Sequence, residues 1–362
     1  MYVKTLLLQN YRNYINEIFE FSPGINIIYG ANAQGKTNVA EAIFYLCTGY
    51  SPRVTREKQV INHNAQSATI TAHAQSQILG SLNASIEFMQ SGKKITVNGT
   101  PASKTAELIG NINAVMFNPQ QLKLVQESPE DRRRFLDIAL SQINRKYLNA
   151  LSVYKKILTQ RNNLLKNPDR DLIFDTLPVW DEQLASVALT IILERNKFIS
   201  KLKPYCEQAH SLITAGKEQL EISYDFKFDG TPEEIKAQLK QSLFERMEKD
   251  VELGYTTVGP HRDDIKIKIN GLDARVYGSQ GQQRTGALSL IIGQLKIFKE
   301  HFGEYPVLIL DDAMSELDGV RRNSLLSMLE GVQTLITCTD AEIMSFKDAK
   351  FFQIENGRII KE

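Results

Sequence analysis

The chain has 362 residues, 42% hydrophobic and 23% charged, with a formal net charge of +1. At this length a single core stops growing, so two compact units, or one unit with a large insertion, are expected. The near-neutral balance excludes any argument from overall basicity: a nucleic-acid partner would have to be met by local clusters of cations or by assembly. No apolar run approaches the ~18 residues of a membrane-spanning helix, and Met1-Tyr2-Val3-Lys4 opens in strand-like sequence instead of a signal peptide, which predicts a soluble, cytoplasmic protein. Cys47, Cys206 and Cys338 sit in apolar patterns without pair spacing and read as buried reduced thiols, with no metal cage or disulfide framework.

Residues 2–9 and 15–21 read as strands around a polar corner, Tyr11-Arg12-Asn13-Tyr14, in which Arg12 on its own is a solvated turn residue. A buried strand, Ile25 to Tyr29, feeds Gly30-Ala31-Asn32-Ala33-Gln34-Gly35-Lys36-Thr37 and then a helical pattern (Val39, Ala40, Ile43, Phe44, Leu46, Cys47). This is a phosphate-binding loop. Gly30 and Gly35 let the backbone wrap an anion, the unpaired N–H groups of the following helix point at it, Lys36 supplies a point charge, and Thr37 supplies a hydroxyl for Mg²⁺. The pattern arises by accident in roughly 1% of chains this long. After the helix, Ser51 to Lys58 is a mixed loop whose Arg53 and Arg56 either reach nucleotide or DNA, or face solvent. From 68 to 98, short alternating stretches broken by Gly80, Gly92 and Asn98-Gly99 predict antiparallel sheet. Ala114 to Phe117 is another short buried strand, ended by Asn118-Pro119.

The pattern then turns helical. Ser128-Pro129-Glu130-Asp131 is a helix-start signature, and apolar positions from Phe135 to Leu165 fall at helical spacing until Asn167-Pro168-Asp169. A second helical run from about Val179 reaches Lys203-Pro204 and can extend beyond it with a kink, so the two form an antiparallel hairpin. Arg132-Arg133-Arg134 lies in a first helical turn, where the dipole disfavours cations; it is either a solvated face offset by Glu130 and Asp131 or a contact to DNA phosphates. Leu220 to Phe228 alternates as a strand, Pro232 to Leu253 returns to helix, Ile265 to Ile269 is a strand, and helix follows from about Gln282 to Phe298. Pro306 to Asp312 is a buried strand ending in two carboxylates, at the sheet edge where ligands of α/β folds sit. Thr334 to Cys338 is a second such strand, and Phe351 to Ile354 with Arg358 to Ile360 forms a final hairpin across Asn356-Gly357. The expected division is a discontinuous unit of 1–122 and 255–362 carrying an inserted, mainly helical unit of 123–254 with the hairpin.

If the loop binds ATP, Asp311 would hold Mg²⁺ and Asp312 would orient or deprotonate the attacking water. Further motifs flank the pair: Tyr277-Gly278-Ser279-Gln280-Gly281-Gln282-Gln283-Arg284 precedes a helix, and Ser315-Glu316-Leu317-Asp318 follows the carboxylates. That order resembles the ATP-binding-cassette (ABC) heads of chromosome and DNA-repair ATPases. The resemblance implies that two heads sandwich two ATP molecules, with Ser279, Gly281 and Gln282 reaching the γ-phosphate held by the partner copy's Lys36.

The corner at 11–14, the loop at 30–37, Ser128-Pro129 with Arg132-Arg133-Arg134-Phe135-Leu136-Asp137, Gly259-Pro260-His261-Arg262-Asp263-Asp264 and the Ser279 motif together resemble the RecF family of bacterial replication and repair proteins, over essentially the whole chain. The resemblance implies an α/β P-loop head with mixed sheets and a helical arm, ATP-dependent homodimerisation on DNA, and work at gaps and stalled forks with RecO and RecR. It also implies help in loading RecA, support of the SOS response, contact of Arg12 with the nucleotide, and Gln120 or Gln121 as an Mg²⁺-sensing residue. Two departures from transporter cassettes, Asp312 where Glu is usual and no histidine after the 334–338 strand (Thr339 or Asp340 stands there), predict slow hydrolysis with ATP acting mainly as a switch. His261 reads as a structural, hydrogen-bonded histidine with no assigned chemistry. Competing readings are a transporter or nuclease ATPase subunit, and a solitary P-loop kinase if the Ser279 motif is accidental.

Overall fold

The computed structural model describes residues 1–51, 53–54, 56–119, 123–314, 317–339 and 349–361. The N-terminal part comprises β1 (Tyr2–Tyr11), β2 (Tyr14–Glu20), β3 (Ile25–Tyr29), α1 (Lys36–Thr48), β4 (Ser67–Ser76), β5 (Gly80–Met89), β6 (Gly92–Val97), β7 (Thr100–Ala102), α2 (Thr105–Leu108) and β8 (Ala114–Phe117). A helical stretch follows: α3 (Lys123–Gln126), α4 (Pro129–Ile143), α5 (Arg145–Leu164), α6 (Arg170–Ile213), β9 (Leu220–Asp225), α7 (Pro232–Glu245) and α8 (Met247–Leu253). The last part contains β10 (Asp264–Ile269), β11 (Leu272–Asp273), α9 (Ala274–Tyr277), α10 (Gln280–Phe302), β12 (Val307–Asp311), α11 (Gly319–Ser327), β13 (Thr334–Cys338), β14 (Lys350–Glu355) and β15 (Arg358–Lys361).

Two six-stranded sheets carry the architecture, an antiparallel one in the order β2-β1-β4-β5-β6-β7 and a mixed one in the order β15-β14-β3-β13-β12-β8; β11-β10-β9 form a small third sheet. In the mixed sheet β14, β3, β13, β12 and β8 run parallel and β15 returns antiparallel. Strands β3, β12 and β13 are mainly apolar on both faces, which are both covered, with Asn26, Thr334 and Thr337 among the buried polar exceptions. Ile27, Leu308, Leu310 and Ile336 point into a core built with the helices. Their neighbours Ile28, Val307, Ile309 and Leu335 point into a second core made with α1 and the antiparallel sheet. Parallel register sets Asp311 beside Thr337 and Cys338 beside Tyr29, so the ends of the three central strands meet at one edge.

The helical stretch departs from its sequence pattern in several places. The first arm helix divides at Asn144, whose side chain accepts the Tyr147 N–H at 3.0 Å and so caps α5. Helix α6 starts at Arg170 and runs 44 residues through Pro178 and Pro204. Each proline removes one backbone hydrogen bond, but a helix packed against α5, α7 and α10 recovers that loss through burial. The 232–253 helix breaks at Arg246 into α7 and α8, β9 stops at Asp225, and α10 is longer at both ends than its apolar pattern. Arm residues such as Leu184 and Ile191 share one apolar cluster with Leu308 and Ile336 of the central sheet, so the hairpin is rooted in the head's own core. Cys47 and Cys206 are buried thiols, whereas Cys338 at its strand end is only half-buried. Among the described residues no helix is long and apolar enough to cross a membrane.

Candidate functional site

The phosphate loop leaves β3 with Gly30 at φ +147°, turns through Ala33 at +65° and enters α1 from Gly35 at +118°. Neither glycine can be replaced without a clash. A Cβ on Gly30 would lie 2.3 Å from the Ile354 carbonyl oxygen, and one on Gly35 would lie 2.7 Å from Asn13 Nδ2 and 2.9 Å from the Tyr14 hydroxyl. Gly35 is the N-cap of α1 and offers no side-chain cap, which leaves the first N–H groups of the helix for an anion. Lys36 is buried, its Nζ donating to the carbonyls of Gly30 at 2.7 Å and Ala31 at 2.9 Å, so the ammonium sits inside the loop.

The Tyr11–Tyr14 corner forms the loop's outer wall. Asn13 Nδ2 donates to the Gln34 carbonyl at 2.7 Å, the Tyr14 hydroxyl to the Gly35 carbonyl at 3.0 Å, and Asn38 Nδ2 to Asn13 Oδ1 at 2.8 Å. Arg12 is no solvated turn residue. It sits at φ +56° and donates from Nε and Nη2 to the buried Glu41 carboxylate at 3.0 and 2.8 Å, and from Nη1 to the Gln59 carbonyl at 3.2 Å. The fork fastens α1 to the short turn at Glu57–Val60.

At the end of β12 the Asp311 carboxylate is buried and accepts from the Thr337 hydroxyl at 2.7 Å, with the Thr37 hydroxyl also acting on it. Burial pushes the Asp311 carboxyl above its ordinary range, the two hydroxyls pull it back, and neighbouring Asp312 pushes it up again. The same Thr337 oxygen accepts the Asp312 N–H at 3.0 Å. Asp312 holds φ +51°, a left-handed position that Asp tolerates better than most residues and that ends the strand abruptly. Arg53 belongs to this end of the molecule: its Nη1 donates to Asn38 Oδ1 at 3.0 Å, and its charge acts on Asp311. Arg56 is exposed. Gln120 and Gln121 lie outside the described residues, as do Ser315, Glu316 and Asp340. Phe117, the last residue of β8, pairs with Leu310, so Asn118 follows beside Asp311.

Ser279 caps α10 in a reciprocal box with Gln282: Gln282 N–H donates to Ser279 Oγ at 3.2 Å and Ser279 N–H to Gln282 Oε1 at 2.9 Å. Ser279 is exposed and Gly281 half-exposed; a Cβ on Gly281 would come to 3.4 Å from Arg321 Nη2. Arg321 is itself held by Thr285 Oγ1 at 2.9 Å and by Asp318. Among the described residues no hydrogen bond joins 278–282 to 30–37.

The arginine triplet divides three ways. Arg132 is buried and turned inward, gripping Asp264 with Nε at 2.6 Å and Nη2 at 2.9 Å while Nη1 donates to the carbonyls of Leu124 and Glu127. It therefore cannot meet DNA phosphates, and Asp264 supplies the compensation the helix dipole withholds. Arg133 is half-buried and donates to the Asp263 carbonyl at 2.7 Å; Arg134 pairs with Glu130 at 2.8 Å and lies over the Tyr50 ring. His261 bonds the Tyr154 hydroxyl at 2.6 Å through Nδ1 and the Thr256 carbonyl at 3.0 Å through Nε2. Burial holds its pKa down to about 4, so the ring is neutral. Thr337, Asn356 and Gly357 enter the site unannounced by any spacing; only their places at a strand end and a turn were visible.

A parallel sheet with a phosphate loop and paired carboxylates at one edge, an antiparallel sheet across α1 and a rooted helical hairpin define an α/β, ABC-type ATPase head. The RecF/RecN/SMC N terminal domain family matches residues 2–358. An Smc head domain from Pyrococcus furiosus shares the fold, with a TM-score of 0.58 at 17% identity, covering 99% of this chain and 94% of that one. Similarity is higher to "DNA replication and repair protein RecF" of Clostridium perfringens, 43% identical over 366 residues and 99% of both chains. The same-named protein of Clostridium acetobutylicum is 44% identical over 363 residues, again 99% of both. A solved structure of the recombination mediator RecF with ATP, of the RecFOR pathway, superimposes with a TM-score of 0.88 at 36% identity, covering 98% of this chain and 96% of that one. The chain belongs to the RecF family.

Proposed function

We propose that this protein is an ATP-controlled, DNA-binding switch of replication and recombinational repair. The observation that carries the reading is the separation, on one head, of the uncapped N-terminus of α1 with Lys36 at the sheet edge from the exposed Ser279 motif that starts α10, with no hydrogen bond between them among the described residues. A second copy brings its Ser279, Gly281 and Gln282 to the nucleotide held by residues 30–37, so ATP closes a homodimer and hydrolysis releases it. Arg12, fixed by Glu41 beside the loop, borders the nucleotide.

Thr37 and Asp311 fit Mg²⁺: a hydroxyl and a carboxylate that act on each other provide two hard oxygens, and the remaining ligands of such an ion would be phosphate and water. Bound there, the ion neutralises phosphate charge; Gln120 is the further candidate ligand. Asp312 orients the attacking water from a short side chain, so hydrolysis is slow. The head comprises 1–122 and 255–362, and the arm 123–254. DNA, gapped or duplex, is met by the exposed Arg56 and Arg134 and the half-buried Arg133, while Arg53 serves the nucleotide end. The RecFOR pathway named for a structural neighbour supports RecO and RecR as partners, and the family resemblance extends this to RecA loading and the SOS response.

The test is molar mass in solution with ADP, with ATP and Mg²⁺, and with ATP, Mg²⁺ and duplex DNA, for the parent, Lys36→Ala and Ser279→Ala. The expected result is a dimer only with ATP, favoured by DNA and lost in both variants. A mass indifferent to nucleotide would overturn the sandwich.

A further inference from the structure

The C-terminal hairpin touches the phosphate loop at both ends. Strand β14 runs parallel beside β3, pairing Gln353 with Tyr29, and its Ile354 carbonyl fills the space where Gly30 would carry a Cβ. Beyond it, β14 and β15 are joined by the two-residue turn Asn356-Gly357, with φ +49° and +71°, the twist that suits a tight hairpin. That turn lies on Gln34. Asn356 N–H donates to Gln34 Oε1 at 2.6 Å, and Gly357 N–H donates to the Gln34 carbonyl at 3.0 Å, which also accepts from Asn13 Nδ2 at 2.7 Å.

A peptide unit is planar and trans, so its carbonyl and N–H point in opposite directions. Two donors on the Gln34 carbonyl therefore aim the Gly35 N–H to the far side of that peptide plane, into the loop. In the next unit the Tyr14 hydroxyl and the Asn38 N–H hold the Gly35 carbonyl, which turns the Lys36 N–H the same way. These N–H groups, with Lys36 Nζ, are the loop's means of binding an anion.

Resting on the ATP reading above, we infer that the Asn356-Gly357 turn is a positioning element of the nucleotide site: with Asn13 it clamps the Gln34 carbonyl and presets the loop's N–H groups for phosphate. Glycine is required at 357 for more than its φ. A Cβ there would stand 2.2 Å from the Asn13 carbonyl oxygen, prising the turn from the corner and both from Gln34. The chain carries its own controls: Gly99 and Gly271 end Asn-Gly turns at φ +79° with nothing within 4 Å of a Cβ.

The experiment titrates fluorescent ATP and ADP into the full-length parent, Gly357→Ala, Asn13→Ala, Gly99→Ala and Gly271→Ala, and records each protein's unfolding midpoint without nucleotide. The preset N–H groups serve phosphates common to both nucleotides. Gly357→Ala should therefore weaken ATP and ADP together by tenfold or more, with their ratio unchanged and an unfolding midpoint still well above the titration temperature. Asn13→Ala should weaken both by several-fold, and this arm carries the test if Gly357→Ala does not fold. Parent-like affinity in Gly357→Ala or, failing that protein, in Asn13→Ala overturns the inference, as does a loss of affinity no larger than in Gly99→Ala. A parent that binds neither nucleotide overturns the ATP reading itself.

Discussion

The outer side of the phosphate loop is held by neutral hydrogen bonds onto the Gln34 and Gly35 carbonyls from Asn13, Tyr14 and Gly357, whereas the helical arm is fastened along its length by buried arginines. Arg132 grips Asp264; Arg161, fully buried, lies between Asp181 at 2.6 Å and Asp250 at 2.7 Å; Arg195 joins Asp137, the Tyr147 hydroxyl and the Pro260 carbonyl. A site meant to attract a multivalent anion has to keep its positive field for the ligand, so the loop is braced through its carbonyls and its N–H groups stay free. In the helical arm the arginines are spent on internal carboxylates, and whole ion pairs are buried. Those pairs join segments up to 132 residues apart, from Arg132 to Asp264. Breaking the two regions should therefore look different: large losses of stability at the arm, small ones with altered ligand binding at the loop.

The largest effect is expected at Arg161. Arg161→Met leaves Asp250 with no exposure to water and Asp181 with little, both without their cation, and should lower unfolding stability in urea by about 3–5 kcal/mol. A loss below about 1 kcal/mol would mean that water reaches the cluster and would erase the contrast. Within the arginine triplet, Arg132→Ala should cost about 3 kcal/mol because it strands Asp264, while Arg134→Ala, which loses an exposed pair with Glu130, should cost less than about 1 kcal/mol. If the triplet instead meets DNA as one block, Arg132→Ala and Arg134→Ala will weaken DNA binding equally at matched stability.

This triplet also marks where sequence stops being legible. The phosphate loop, the paired carboxylates at a strand end and the Ser279 helix start were readable as local shapes, because backbone geometry and residue type fix them locally. So were the buried strands, whose apolar residues on both faces need cover on both sides. Arg132 and Arg133 were readable only as charge: whether a cation faces solvent, DNA or a buried carboxylate depends on a partner 132 residues away that no periodicity announces. Arg12 failed for the same reason, since Glu41 lies on the next helix, 29 residues on. The passage of α6 through Pro178 and Pro204 was hidden for another: tertiary packing overrode a local propensity.

A pH series sharpens the comparison at a smaller scale. Burial lowers the His261 pKa from an ordinary 6.5 to about 4, so the folded state binds fewer protons than the unfolded one between those values. Its contribution is complete above about pH 6.5 and is lost as pH falls toward 4. Asp263 is the reverse. Burial raises its carboxyl from 3.8 to about 6, so its penalty is complete above pH 6 and relieved on acidification. Between pH 7 and 5 the histidine alone costs about 2 kcal/mol and the carboxyl returns about 1.4 kcal/mol. Asp263→Asn keeps an acceptor for the Tyr224 hydroxyl and removes the opposing titration. Its unfolding free energy should therefore fall more steeply than the parent's by about 1.4 kcal/mol over that range; parallel pH profiles would show that Asp263 is solvated.

On the loop side the smallest loss of stability should accompany the most specific loss of function. Thr337→Val keeps the shape of the strand end but removes the donor to Asp311 and the acceptor for the Asp312 N–H, two hydrogen bonds at 2.7 and 3.0 Å. Near neutral pH the expected cost is about 1 kcal/mol, because Asp312 is only half-buried and its amide can turn to water. With one donor gone, the Asp311 carboxyl moves further up and holds a cation less well. Nucleotide affinity should then fall in the presence of Mg²⁺ and stay unchanged in its absence, with Thr337→Ser restoring both. An equal loss with and without the metal would place Thr337 with the arm arginines, as a residue that serves the fold alone.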